Sequence, residues 1–331
     1  MAVFVGLDIG AKSVQMAWRV ADKTVGTAQL AQTADGHQQA LKRIKALGAE
    51  LVVLEATGVY YLDLAVTLSR AGIAVAVINP KSFHHFAKLK LERSKTDAVD
   101  AALLAEYGQR MSPPLWTAPV NARLQLRDIG RQINRITKMR TQSKNRLHAL
   151  SSKSGTLDLL LQDEEEAIAW FDQRLGKLAE AAQGLIEQDG QLAMQLQQLM
   201  SAKGVGQVSA LAILAELCVL PDELKASQVS RYAGVDVRLC QSGSSVNRPA
   251  RLSKAGNAYL RSALYMPALS AVRHDPNAKA FYLALQRRGK KKMQALCAVM
   301  RKYLTGLWAC LHSNEPFDSG KLFSGIHHKI D

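Results

Sequence analysis

Short apolar runs of strand length alternate with helix-like segments over the first third of this 331-residue chain, and this order constrains the fold more than any other feature. Residues 3–9 form one such run, and residues 51–54 and 73–78 form two more. Helical apolar spacing lies between them, as over residues 37–47, which end before Gly48. The sequence predicts three strands, then a helix, a strand, a helix, a strand and a helix. This order is typical of an α/β layer fold with a mixed sheet.

Long helical patterns replace this alternation after residue 118. Leucine and isoleucine recur at helical spacing on both sides of a Ser/Gly-rich segment, residues 151–155. We predict two long helices of opposite charge that form a helical hairpin or coiled coil. From residue 200 the chain is again predicted to be mainly helical. The predicted domains are therefore 1–118, 119–199 and 200–331.

The charged residues are arranged in blocks, within a formal net charge of +15. Residues 81–150 carry 14 basic and 5 acidic side chains, and residues 230–303 carry 15 basic and 2 acidic ones. Residues 151–229, between them, carry 5 basic and 12 acidic side chains. Two basic blocks that flank an acidic one predict a polyanion held by separate parts of the molecule, and nucleic acid fits best.

Four acidic residues occupy positions that suggest a shared site. Asp8 ends the first apolar run and Glu55 ends another, so neighbouring strands would place both carboxylates at one sheet edge. Asp97 and Asp100 are three residues apart and share one helix face. Converging carboxylates repel one another, and the compensating ion with oxygen ligands is Mg²⁺ or Mn²⁺. Taken singly, each acid also fits a helix-terminal charge or a solvated side chain.

Two further segments have spacing that suits phosphate binding. Arginines recur every four residues along one predicted helix face, at Arg123, Arg127, Arg131 and Arg135. They form either a phosphate-tracking ridge or a solvated face. Gly204 and Gly206 lie in a turn that is similar to a helix-hairpin-helix motif, in which backbone N–H groups meet a phosphate. A plain connection between two helices explains the glycines equally well.

A serine-rich segment, residues 241–245, lies among basic side chains. Alone, it would be interpreted as a flexible turn. The basic residues around it are Arg238, Arg248, Arg251, Lys254 and Arg261. A serine among guanidinium groups is a candidate nucleophile or phosphate ligand.

Several short motifs, in order along nearly the whole chain, resemble the IS110 family of transposases, the DEDD transposases related to the Piv invertase. The matching segments are residues 6–10, 55–58, 95–101, 204–206, 232–234, 241–243 and 253–261. The family implies an N-terminal RuvC-like (RNase H-like) domain, a coiled-coil insertion and a C-terminal transposase domain. The sequence departs from the family pattern at residues 235–237, where the family commonly has Leu-x-Pro.

The resemblance also implies roles for individual residues. Asp8, Glu55, Asp97 and Asp100 become the Mg²⁺-binding tetrad. Ser242 becomes the nucleophile that links the protein to DNA, with Ser244 and Ser245 as alternative registers. The implied partners are donor and target DNA, a structured guide RNA that bridges them, and further copies of the chain in a dimer or tetramer. No membrane partner is expected, and the expected location is the bacterial cytoplasm, in association with the nucleoid.

Three other functions are kept as alternatives. The first is a metal-dependent nuclease of the Holliday-junction type without a covalent serine intermediate. The second is a nucleic-acid-binding protein without catalysis. The third is an actin-like sugar kinase, because Asp8-Ile9-Gly10 also suits a phosphate-binding hairpin, but that function leaves both basic blocks unexplained.

Overall fold

A computed structural model describes residues 1–90, 96–242, 246–313 and 315–324, without the side chains of residues 240 and 246–249. The chain divides into two compact units, Met1–Pro119 and Val120–Asp331. Each unit has its own hydrophobic core.

The first unit is a mixed sheet with helices, as predicted. In chain order its elements are β1 (Val3–Ile9), β2 (Ser13–Val20), β3 (Lys23–Ala31), α1 (Ala34–Ala46), β4 (Leu51–Glu55), α2 (Tyr61–Arg70), β5 (Val75–Ile78), α3 (Pro80–Leu89) and α4 (Asp97–Met111). The strand order is β3-β2-β1-β4-β5. The pairs β1–β2 and β2–β3 are antiparallel, whereas β4 and β5 continue the sheet in parallel.

The two sides of the sheet face different helices because strand side chains alternate. Val5 and Leu7 of β1 are fully buried in a core that also holds residues of α1 and α2. Val53 of β4 belongs to a second core with residues of α3 and α4. Helix α3 was not predicted from the sequence. Asn79 is the N-cap of this helix and Pro80 is its first residue. The helix was missed because an Asn-Pro pair is also typical of turns.

The second unit is mainly helical, as predicted. Its helices are α5 (Asn121–Ser151), α6 (Asp158–Glu187), α7 (Gly190–Met200), α8 (Gln207–Leu217), α9 (Ala226–Ala233), α10 (Ala258–Ala263), α11 (Tyr265–His274), α12 (Pro276–Arg287), α13 (Lys292–Ser313) and α14 (Ser319–Phe323). Its strands, β6 (Val237–Ser242) and β7 (Val246–Leu252), form an antiparallel pair that the sequence interpretation missed.

The long helices α5 and α6 pack against each other as a helical hairpin. Leu126 and Ile133 of α5, and Ile186 of α6, lie in the same core as Leu260 and Leu304 from the C-terminal region. The segments predicted as domains 119–199 and 200–331 therefore share one core, and the coiled coil stays a prediction. No described helix combines the length and apolar content needed to cross a membrane.

Candidate functional site

Asp8 and Glu55 stand side by side at the carboxyl ends of two neighbouring parallel strands. The last residue pair between β1 and β4 is Leu7 with Leu54. Asp8 and Glu55 are the next residues on the two strands. The two strands are neighbours in the sheet, which is the condition for both carboxylates to lie at one sheet edge. Thr57 donates a hydrogen bond from its hydroxyl to a carboxylate oxygen of Glu55, which fixes the side chain at the strand end.

Helix α4 brings two more carboxylates to this edge. Thr96 caps the helix by accepting a hydrogen bond from the Val99 N–H at 3.3 Å, and Asp97 and Asp100 occupy the first turn. The helix crosses β1 at Gly6, where a Cβ atom would overlap the backbone of Ala101 and Ala105. Since only glycine permits this approach, Gly6 sets how closely the acidic turn of α4 comes to Asp8.

The four acids share one electrostatic environment. Burial, followed by the negative charges of Asp100, Asp97 and Glu55, raises the pKa of Asp8 from 3.8 to about 6. The N–H of Ile9 opposes this effect only in part. Burial and the neighbouring carboxylates thus disfavour the ionised form of Asp8, and a nearby positive charge would favour it.

The chemistry of this donor set fits a hard divalent cation, because all four side chains offer carboxylate oxygens. The four carboxylates lie farther apart than the ligands of an occupied metal site do. Across the described ranges, no three His, Cys, Asp or Glu side chains are grouped so that they could hold an ion. The carboxylates therefore form a candidate site whose members must come closer together to chelate an ion.

Ser242 lies in the second unit, at the last position of β6. It is exposed and pairs across the hairpin with Val246. Ser244 and Ser245, the alternative registers, lie outside the described residues. Arg238 and Arg251 occupy directly opposite positions on β6 and β7, and both side chains are exposed. Two like charges in such a pair destabilise a hairpin, so they favour an anionic partner over a purely structural role.

The base of this hairpin is fixed by backbone contacts between the motif at residues 232–234 and the motif at residues 253–257. The N–H of Lys254 donates to the Gly234 carbonyl at 3.1 Å, and the N–H of Ser253 donates to the Asp236 carbonyl at 2.9 Å. Arg261 donates from its guanidinium to the Ala233 carbonyl at 2.8 Å. The two motifs therefore position the strand that ends in Ser242.

A buried carboxylate links this hairpin base to α5. Glu216 is 1% exposed and accepts two hydrogen bonds from Arg131, at 2.7 and 2.9 Å. Asn257 also donates to Glu216, and its amide group donates to the Tyr232 hydroxyl at 2.9 Å. Burial alone would lower the pKa of Arg131, but the hydrogen bonds and charge of Glu216 outweigh it and raise that pKa.

This network was missed from the sequence, although a signal was present. Glu216 interrupts the otherwise apolar run of residues 211–220. A lone carboxylate within a buried apolar helix needs a cationic partner.

The structure separates the predicted arginine ridge into internal and exposed members. Arg131 is paired with Glu216, and Arg123 donates to the Cys218 carbonyl at 3.2 Å and to Gln191 at 2.6 Å. Arg127 is largely buried, with a side-chain exposure of 11%. Arg135 is exposed. Arg135 is the one exposed arginine of these four positions on α5, and phosphate binding by the set stays a prediction.

The other predicted phosphate contacts also differ in their surroundings. Gly204 packs against the backbone of α11, and its φ of 90° is the conformation that glycine tolerates. Gly206 is the N-cap of α8, with open space beside it. Arg251 and Lys254 are exposed, whereas the Arg248 side chain lies outside the described residues.

Comparison with known proteins gives matches over most of the chain. The transposase family DEDD_Tnp_IS110 matches residues 5–152, and the transposase family IS116/IS110/IS902 matches residues 196–283. The pilin gene-inverting proteins of Moraxella bovis and Moraxella lacunata are each 30% identical over 270 residues, 81% of this chain and 81% of theirs.

Two more distant similarities were found. A transposase for insertion sequence element IS1111A from Coxiella burnetii is 25% identical over 301 residues, 77% of this chain and 76% of that protein. The Thermus thermophilus RuvC structure covers 33% of this chain and 96% of its own, with 14% identity and a TM-score of 0.28.

Proposed function

Because the chain belongs to the IS110 family of transposases, and is thus a DNA transposase or recombinase, we propose that it cuts and rejoins DNA with a carboxylate metal site and a serine nucleophile. The observation that carries the proposal is the placement of Asp8 and Glu55 at adjacent parallel strand ends beside the helix whose first turn holds Asp97 and Asp100. The first unit, in this proposal, is a RuvC-like catalytic domain.

The metal-binding part of the proposal assigns Mg²⁺ or Mn²⁺ to the four carboxylates. When bound, the ion would supply positive charge to the oxygens of the phosphodiester that is cleaved. Asp8 and Glu55 are held by adjacent strand ends, whereas Asp97 and Asp100 are held by the first turn of α4. Ionisation of Asp8 would then be favoured at neutral pH, because the cation offsets the repulsion that raises its pKa.

The serine part of the proposal is a transesterification. The Ser242 oxygen forms a bond to phosphorus, and the bond between phosphorus and one deoxyribose oxygen breaks. The serine proton leaves to a base, and the departing oxygen takes up a proton. A DNA hydroxyl then attacks the phosphoserine and releases Ser242. Since each step exchanges one phosphodiester for another, rejoining needs no ATP.

Two features of the partners complete the proposal. The exposed cations at Arg135, Arg251 and Lys254 bind donor and target DNA, or a structured guide RNA that bridges them. Copies of the chain act together as a dimer or tetramer. The pilin gene-inverting relatives are consistent with exchange between two DNA sites.

A recombination assay with amide and alanine variants tests this function. Asp8→Asn and Glu55→Gln keep the side-chain shape but remove charge, so the loss of several kcal/mol of metal stabilisation should lower recombination by at least about 100-fold in Mg²⁺. Ser242→Ala should lower it equally, while the exposed-acid control Asp35→Asn stays near the parent rate. Recombination that survives Asp8→Asn with Mg²⁺ as the sole divalent ion would overturn the metal assignment. Cleavage that survives Ser242→Ala would favour a nuclease.

A further inference from the structure

The turn between α12 and α13 carries the densest cationic cluster that the described residues contain in so short a segment. Its basic side chains are Arg287, Arg288, Lys290, Lys291 and Lys292, here called the basic turn. All five are exposed, and within the described part of the chain none has a side-chain hydrogen bond or ion pair. Gly289, with a φ of 80°, ends α12 and reverses the chain, so the cations occupy two sides of one tight turn.

Three lysines of the basic turn lie at the end of α13 that is unfavourable for cations. Lys290, Lys291 and Lys292 stand at the start of α13, where the helix dipole disfavours positive charge. The first turn of α13 contains no acidic residue that could neutralise them. A cluster that opposes its own helix and lacks a carboxylate partner indicates an external anion.

The basic turn lies on the helix that passes the base of the serine hairpin. Helix α13 packs against α9, and the C-terminal end of α9 is tied to the hairpin base by backbone hydrogen bonds. In keeping with this packing, the charge of Lys254 opposes the rise that burial causes in the pKa of Cys297 on α13. Lys292 is five residues away, about 8 Å along the helix axis. One strand of a duplex rises by about 3.4 Å per phosphate along the duplex axis, so a strand of a few nucleotides is long enough to connect the two positions.

We propose that the basic turn binds the phosphate backbone of the nucleic-acid strand that is presented to Ser242, and that it does so without regard to base sequence. Three of its cations are lysines, which act as point charges and not as planar forks for reading guanine. The contact therefore holds the strand in register, while sequence is recognised elsewhere. This inference rests on the proposed function of Ser242, but its test measures binding alone.

The test compares two triple-lysine variants in a Ser242→Ala background, where no covalent product can form. The basic-turn variant combines Lys290→Gln, Lys291→Gln and Lys292→Gln. The control has the same change in net charge, at three exposed lysines of the first unit, and combines Lys23→Gln, Lys42→Gln and Lys45→Gln. Binding is measured by fluorescence anisotropy between about 0.05 and 0.3 M salt, with duplex DNA and a structured RNA hairpin as probes, each in two unrelated sequences.

Each phosphate contact contributes about −0.9 to the slope of log affinity against log salt on duplex DNA. The basic-turn variant should therefore flatten that slope by about 2.7 and weaken binding on the order of 100-fold at 0.15 M salt, equally for both sequences. The control variant should change the slope by less than about 1. Loss on DNA or on RNA alone supports the proposal and identifies which backbone is bound.

Equal losses in the two variants, or no loss on either probe, would overturn the proposal. A loss that depends on base sequence would also overturn it. The two failures can be told apart. If the proposed function alone is wrong, the wild-type protein forms no covalent adduct with DNA, but the salt slopes of the two triple-lysine variants still differ.

Discussion

The substitution Asp8→Asn should stabilise the metal-free protein at neutral pH while it abolishes catalysis. The native carboxylate is partly buried beside three other acids, and its pKa rises from 3.8 to about 6. The folded state therefore holds a proton that the unfolded chain has already released between these two pH values. Stability falls as pH rises from about 4 to 6 and stays lower above pH 6.

The size of the effect follows from the same pKa difference. The rise of the Asp8 pKa from 3.8 to about 6, at 1.36 kcal/mol per pKa unit, gives a ceiling of about 3 kcal/mol. Asp8 is only partly buried, so solvent screening reduces the expected gain for Asp8→Asn to about 1–2 kcal/mol at pH 7.5. At pH 4 both side chains are close to neutral in the folded state, and the gain should fall toward zero.

Urea denaturation at pH 4 and pH 7.5, with EDTA and then with Mg²⁺, measures this difference. In EDTA, Asp8→Asn should have a higher free energy of unfolding than the wild-type protein at pH 7.5, and nearly the same value at pH 4. Saturating Mg²⁺ should stabilise the wild-type protein and leave Asp8→Asn nearly unchanged. Asp35→Asn, at an exposed position of α1, serves as the control. An Asp8→Asn protein that is less stable than wild type in EDTA at pH 7.5 would refute the electrostatic reasoning.

Two further substitutions test how the two units hold their candidate residues. Glu216→Gln removes the charge that compensates Arg131 and should lower the free energy of unfolding by about 3 kcal/mol, whereas the exposed control Glu180→Gln should change it by less than about 0.5 kcal/mol in thermal denaturation. Gly6→Ala forces α4 away from β1 and should lower the free energy of unfolding by about 3 kcal/mol. It should also abolish the stabilisation of the protein by Mg²⁺. Gly176→Ala, on open helix surface, should instead stabilise the protein by up to about 1 kcal/mol. An equal response of Gly6→Ala and Gly176→Ala in urea denaturation would contradict the packing argument.

The first unit could be predicted from sequence because its local signals agree with its tertiary packing. Each strand and helix predicted up to β5 corresponds to an observed element, and Asp8 and Glu55 lie at the ends of β1 and β4. Helix α3 was missed because Asn79-Pro80 marks a turn as readily as a helix start. The closeness of α4 to Asp8 depends on Gly6, whose role becomes clear only when the facing helix is known.

The second unit was harder to predict because its decisive contacts join residues far apart in sequence. Glu216 interrupts an apolar run and so needs a cationic partner, but the sequence does not indicate that Arg131, 85 residues earlier, is that partner. The first residues of β6 have no buried face to mark them as a strand, since Val237, Arg238 and Leu239 are all exposed. Strand pairing there follows from the contacts at its base, between residues 232–234 and 253–257.

The most direct test of the serine and metal mechanism is to locate the covalent link between protein and DNA. Wild-type protein is incubated with nicked DNA and Mg²⁺, and the denatured adduct is digested and mapped by mass spectrometry. The mechanism predicts one phosphoester-linked nucleotide on Ser242, absent from Ser242→Ala and from Asp8→Asn. A link at Ser244 or Ser245 would contradict the assignment of the nucleophile, and strand cleavage without any adduct would contradict the serine mechanism itself.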